Sequence, residues 1–455
     1  MFPCLQELQI KKCPNLSDVS LEALPSLRVL KIDGCCESGL RSLVRAAWAV
    51  EELSIFRCNE IRYLWESEAK ASKVLVNLKK LQVYCCKNLV SLGEKEEDED
   101  NIRIKLLSSH RKLEIQSCDS MERLFCPNSI ESLVISDCNS TRHVCFSKAT
   151  TTGGGGQNLK SLTILGSDMH MEIINNTSMP MLKVINIDGW KNLKSINQLS
   201  NCIHLTYLSM QTCQSMESFA DLELSSLTRL RIEGCESVES FPNLHLPNLT
   251  HLDIQSCKNM KAFGDLQLPN LIRWRIYNCE NLESFPDLQL SNLTMLKDMS
   301  IRKCPMIDAS FPRGLWPPKL ISLEVGELKR PISEWGYQSF PASLVDLSLG
   351  GESHVRNFSQ LSHLFPSSLT QLWIENFDKL ESLSTGLQHL TALQHLSIWG
   401  CPQMIHLPET LLPSLLSLTI YKCPKLKERC EGGSHYWPLI SHIPCIQIED
   451  SYDSD

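Results

Sequence analysis

Leu249-Thr250-His251-Leu252-Asp253-Ile254-Gln255-Ser256-Cys257 sets the pattern for the whole chain. The same spacing returns at Leu227-Thr-Arg-Leu230-Arg-Ile232-Glu-Gly-Cys235 and at Leu271-Ile-Arg-Trp274-Arg-Ile276-Tyr-Asn-Cys279. The triplet Leu-x-Ile alternates with period two, the mark of a short strand with one buried side. A unit of twenty-odd residues cannot bury its own apolar face, so successive copies must stack. Stacking places the triplets side by side as one parallel sheet, which lines the inner side of a coil.

Nineteen anchors carry this register from Leu5 to Ile443. The steps from Leu205 to Leu271 are 22 residues each, and the others range from 20 to 32. His110 is the weak anchor, kept because Leu113, Ile115 and Cys118 fit behind it. A second apolar step follows the cysteine, as in Val238 then Phe241, or Met404 then Leu407. Leu-Pro-Ser-Leu or Leu-Pro-Asn-Leu then leads into the next strand, at Leu24 to Leu27 and at Leu246 to Leu249. Proline cannot continue a helix, so the outer side is expected to be mostly irregular. The expected architecture is an α/β solenoid of about 19 repeats, in a single domain over residues 1–455.

Bulk properties agree with that class. A 455-residue globular chain would divide into domains, whereas a solenoid grows by nearest-neighbour contact. With 44 basic and 52 acidic residues the formal charge is −8, which argues against a nucleic-acid backbone as partner. No apolar run reaches about 18 residues, and the start has no basic and apolar leader. Of the 21 cysteines, thirteen fall at repeat position nine. There a small thiol is expected to sit buried and donate weakly to backbone carbonyls, rather than form disulfides or bind metal. Thiols in this number point to a reducing compartment, cytoplasmic or nuclear.

Irregular segments are expected at 93–103, where Glu94 to Asp100 is all charged, and at 147–158, with its glycine run. A bend or seam is expected near 305–343, and an acidic tail at 449–455. No phosphate loop, Gly-x-Ser-x-Gly, His-Glu-x-x-His or calcium loop occurs, so no enzyme and no cofactor is expected. Cys430, His435, His442 and Cys445 lack a usual zinc spacing, and no metal is expected.

The Leu-x-x-Leu-x-Ile-x-x-Cys-x-x-Leu repeat with Leu-Pro-Ser-Leu re-entry resembles the leucine-rich-repeat region of plant disease-resistance proteins. Cys423-Pro-Lys-Leu-Lys-Glu and Trp437-Pro-Leu-Ile-Ser-His-Ile-Pro444 are similar to how chains of the coiled-coil nucleotide-binding class finish. The resemblance implies a horseshoe with the sheet on its concave side. It also implies protein recognition in an intracellular immune receptor, by sensing a pathogen effector or a modified host protein and restraining a switch. The nucleotide-binding and coiled-coil domains of that family are not found in this sequence, so a switch domain is expected from another chain or is missing. A ubiquitin-ligase substrate receptor is the alternative; it would need an F-box, which is not seen.

Repeat positions three, five, seven and eight of each strand are expected to face solvent on the inner side. They carry Tyr207, Arg229, Arg231, His251, Asp253, Arg273, Arg275, Tyr277 and Arg302 in the middle coils, and Trp373, Trp399 and Tyr421 in the last ones. Arginine, tyrosine and tryptophan dominate binding energy at protein interfaces, so these residues are the expected partner-binding set. The plainer expectation is that the arginines only pair with Glu233 and Asp253 for solubility.

Overall fold

The computed structural model describes residues 4–16, 24–65, 74–93, 109–146, 156–166, 179–190, 193, 196, 199, 202–216, 224–241, 243–283, 290–307, 315–335, 339–352 and 354–449. Of the expected irregular segments at 93–103, 147–158 and 449–455, residues 94–103, 147–155 and 450–455 lie outside the described residues, as does part of the expected seam at 305–343. The chain forms two compact units, 1–237 and 238–455.

In the first unit ten strands run parallel, each paired to the next along the chain. They are β1 (Glu7–Lys11), β2 (Val29–Asp33), β3 (Glu52–Phe56), β4 (Lys80–Tyr84), β5 (Lys112–Gln116), β6 (Ser132–Ser136), β7 (Ser161–Leu165), β8 (Val184–Asp188), β9 (Tyr207–Gln211) and β10 (Arg229–Glu233). The second unit repeats the arrangement with nine. These are β11 (His251–Gln255), β12 (Arg273–Tyr277), β13 (Asp298–Cys304), β14 (Ser322–Leu328), β15 (Asp346–Gly350), β16 (Gln371–Glu375), β17 (His395–Trp399), β18 (Ser417–Tyr421) and β19 (Cys445–Glu449). Every strand begins two residues after its anchor. Like positions therefore face each other across each pairing, as with Leu252 opposite Trp274 and Ile254 opposite Ile276.

That register places the core. Positions four and six point inward, and Ile232, Ile254 and Ile276 are fully buried. Burying each such side chain stabilises by about 1.5–3 kcal/mol, which no single coil could gain alone. The weak anchor holds as well: His110 is 1 % exposed and its Nε2 lies 2.9 Å from the Lys112 carbonyl oxygen.

The turn after each strand explains the cysteines. Position eight adopts left-handed backbone in all eighteen copies where it is described, with φ between 48° and 92°. Its N–H still donates to the neighbouring coil, as from Ser256 to the Tyr277 carbonyl at 2.8 Å. The chain then folds inward, and the cysteine at position nine donates to the carbonyl two residues back. Twelve of the thirteen cysteines there make this contact at 3.3–3.6 Å. A thiol suits a site that needs a small apolar body and one weak donor.

The outer side is mostly turns, as expected, with some regular pieces. Helix α1 (Glu37–Ala46) turns Leu40, Leu43 and Val44 inward, and Arg41 pairs with Glu37 one turn back. Gly39 is required there, because a Cβ would come within 2.3 Å of the Leu16 carbonyl oxygen. Four pairs of short parallel strands link neighbouring coils elsewhere, such as Arg123–Cys126 with His143–Phe146. In the second unit, Trp316, Trp335, Phe340, Phe365, Phe358 and Phe377 pack in a chain of ring contacts 5.6–6.4 Å apart. Helices α2 (Pro424–Cys430) and α3 (Trp437–Ile440) cover the last coil, burying Leu426, Cys430 and Ile440.

Candidate functional site

Positions three, five and seven alternate with the buried ones, so their side chains form rows along the open face of each sheet. The core makes no demand on residue type in these rows. What stands there, and how its neighbours in register engage it, decides what the face can bind.

In the first unit, Tyr207 on β9 pairs in register with Arg229 on β10. Arg229 is exposed and has no ion-pair partner among the described residues, whereas Arg231 sits 2.7 Å from Glu233. The plainer expectation therefore holds for Arg231. The same face holds a network that reading the middle repeats alone missed. Ser54 donates to Gln82 at 2.9 Å, and Gln82 and Tyr84 both reach the Glu114 carboxylate, at 2.5 and 2.6 Å. Phe56 stacks on the Tyr84 ring at 5.1 Å. Burial and the adjoining Glu114 carboxylate push the Tyr84 hydroxyl up to about 12. The signal was available in sequence, since Phe56 and Tyr84 occupy position seven of adjacent copies.

In the second unit, His251 and Asp253 on β11 stand in register with Arg273 and Arg275 on β12. Both arginines turn to the next strand, with Asp298 at 2.7 Å from Arg273 and 3.5 Å from Arg275. Pairing with Asp253, the plainer expectation, is not what Arg275 does. Both stay more than 40 % exposed, so the shared carboxylate orients them without hiding them. Tyr277 is exposed, and the Lys303 ammonium lies 5.2 Å from its ring centre.

Arg302 corrects the sequence reading, which had it facing solvent: its side chain is 9 % exposed. It lies across Gly326 on β14 and toward Gly350 on β15, two positions in one row without side chains. A Cβ at Gly350 would sit 2.5 Å from its Nη2. The guanidinium donates to Glu324 at 2.9 Å and, on β16, to Glu375 at 2.7 Å. Burial works against the charged form, but these carboxylates outweigh it and raise the Arg302 pKa.

The aromatic set also differs from expectation in part. Trp373 and Trp399 are half-buried, with ring centres 6.5 Å apart, and Tyr421 packs 4.9 Å from Trp399. Tyr421 is only 8 % exposed, because Trp399 covers one side of its ring and Lys422 lies 5.3 Å from the ring centre. It supports the tryptophans more than it offers a surface of its own.

The four residues weighed for zinc do not converge. Cys430 is buried, Cys445 is exposed, His435 faces Glu409 at 3.7 Å, and His442 lies 3.2 Å from the Leu412 carbonyl oxygen. Among the described residues no group of three or more His, Cys, Asp or Glu is placed to hold a metal ion. No helix among them is long and apolar enough to cross a membrane.

A match to a known family fits this fold. Residues 157–305 match the family described as plant disease resistance protein RPS2-like, leucine-rich repeats. That span contains the middle set from Tyr207 to Arg302. Among solved structures, a leucine-rich-repeat protein of Leptospira interrogans is 15 % identical, over 90 % of this chain and 99 % of its own, with a TM-score of 0.40. A complex described as TLR13–ssRNA13 is 14 % identical, over 98 % of this chain and 75 % of its own, with a TM-score of 0.46. No curated protein matches the chain.

Proposed function

We propose that the open sheet face is the protein-recognition surface of an intracellular plant immune receptor. It senses a pathogen effector or a modified host protein and restrains a nucleotide-binding switch supplied elsewhere. The reading rests on Arg273 and Arg275, half-exposed and held by one carboxylate on a face whose composition the core does not dictate. The family match over the same coils gives that face its plant-resistance context. The 21 cysteines, as thiols outside any disulfide, suit a reducing compartment, cytoplasmic or nuclear. Recognition then works as differential binding: a ligand shifts the switch only as far as its affinities for the two states differ.

The test is capture from infected and uninfected leaf extract, with and without a supplied nucleotide-binding domain. Charge reversal at Arg273 and Arg275 would place two new carboxylates beside Asp298 and disturb the sheet as well as the surface. The neutral pair Arg273→Gln with Arg275→Gln separates the two effects. The expected result is an infection-dependent partner that the double variant fails to retain while its melting curve is unchanged. Equal capture by the variant rejects the arginines as contacts. Capture of ubiquitin-ligase scaffold proteins would replace the immune reading with the substrate-receptor one.

A further inference from the structure

Strands β14 to β18 differ in charge from the arginine-bearing strands beside them. At positions three, five and seven they carry Glu324, Asp346 and Glu375 but no lysine or arginine. Arg302, reaching in from β13, is 9 % exposed and engaged by Glu324 and Glu375. The row through position five is sharply stepped. Glu324 on β14 and Trp373 on β16 flank Ser348 on β15, and Ser397 follows Trp373 on β17. Glu324 and Trp373 are two strand spacings apart, roughly 9.6 Å, with only a serine hydroxymethyl between them. Asp346 closes the gap at one end, and the Arg302 guanidinium, lying over Gly350, closes the other.

The walls of this gap are already set. Ser300 and Arg302 hold the Glu324 carboxylate at 2.8 and 2.9 Å, and Trp399 backs Trp373. Asp346 is the strained member. Burial and the negative charges of Asp298 and Glu324 raise its pKa, against one hydrogen bond from Ser322 at 3.2 Å. Excess negative charge beside an indole ring is chemistry that favours a planar cation. A guanidinium can stack on the indole and donate to carboxylates on either side, which a compact ammonium does less well.

We propose that the gap over Ser348, between Glu324, Asp346 and Trp373, receives an arginine side chain from the partner protein. The inference rests on the open face being a recognition surface, and names what one part of it reads. The occupant's cation fills the charge deficit of the gap, and its plane lies against Trp373. Arg302 stays beneath as the post that keeps Glu324 and Glu375 upright.

The probe is a blocked Gly-Ser-Arg-Ser-Gly peptide, against the same peptide with citrulline, which keeps shape and loses charge. Binding to the full chain is followed by NMR of the tryptophan indole N–H signals, with Trp373 assigned through Trp373→Phe. A saturable shift of the Trp373 signal is expected with the arginine peptide only. Asp346→Asn should weaken it about tenfold, in line with a desolvated cation contact. Equal response to citrulline, no saturable shift, or an unchanged Asp346→Asn variant overturns the proposal. If the peptide fails while leaf partners are still captured through Arg273 and Arg275, the gap is refuted and the recognition reading stands. If the peptide binds and no partner is captured, the recognition reading fails alone.

Discussion

Replacing Arg302 by methionine should loosen the second sheet locally, between β14 and β16. The substitution keeps most of the apolar stem and removes the guanidinium. Glu324, Glu375 and Glu327, at 2.9, 2.7 and 4.0 Å from it, are left without their common cation. Removing one partner of a fully buried ion pair costs about 3–5 kcal/mol. The glutamates here keep 24–40 % of their side-chain surface in water and can turn outward. A cost of about 2 kcal/mol is therefore expected, the remainder being recovered by solvation. A chain of this length need not unfold in one step, so a loss confined to three strands is read better locally than from global melting. Amide hydrogen exchange at the β14, β15 and β16 backbones reads the local opening directly. Protection there should fall by about thirtyfold, with β11 and β18 unaffected. Gly350→Ala supplies the control. In the wild type its Cβ would meet Nη2 at 2.5 Å and displace the guanidinium from Glu375. In the Arg302→Met background that obstacle is gone, and the alanine should cost less than about 0.5 kcal/mol. Additive losses in the double variant would refute the picture of an arginine lying in a glycine-floored trough.

His110, buried and held neutral, has its pKa lowered to about 4 by burial, from an ordinary 6.5. The stability it contributes is complete above pH 6.5 and is lost as pH falls toward 4, by about 3 kcal/mol in all; exchange protection in β5 should follow that course and His110→Leu should abolish it. Burial raises the Glu352 carboxyl, which accepts from the Ile332 N–H at 2.5 Å. Its folded form favours the proton, so its stabilising effect is full at low pH and is lost as pH rises; Glu352→Gln should raise the melting temperature at neutral pH and bring no gain near pH 4. Maleimide labelling of native protein should modify Cys4, Cys85 and Cys445 rapidly and leave Cys58, Cys118, Cys257 and Cys401 untouched; rapid modification of those four would contradict the coil register.

The register was readable because burial at positions four, six and nine is a local demand, repeated in each copy. Even His110 could be placed, since Leu113, Ile115 and Cys118 follow it at the right steps. The left-handed turn at position eight was also visible in outline, through Gly34, Gly189, Gly234, Gly351 and Gly400 and through Asn278 and Asn376. Exposure along the face was less readable, because it depends on neighbours a whole coil away. Arg302 is buried since Gly326 and Gly350 stand next in its row, and no local motif carries that information. Asp298, 25 residues ahead, is the register partner of Arg273 on the next strand, and Arg275 reaches the same carboxylate from two positions along, so the partner is set by the following coil and not by a local motif. Helix α1 was hidden by the proline-rich re-entry of other coils, though Leu40, Leu43 and Val44 carry helical spacing.

Hydroxyl-radical footprinting of the chain with and without its captured leaf partner tests most directly whether the open face does the binding. Aromatic residues report on both sides of the coils: Tyr277, Trp373 and Trp399 on the face, Trp48 and Trp437 elsewhere, the last two 46 % and 41 % exposed. Protection confined to Tyr277, Trp373 and Trp399 is the predicted result. Protection of Trp48 or Trp437 with the face still fully reactive would contradict it.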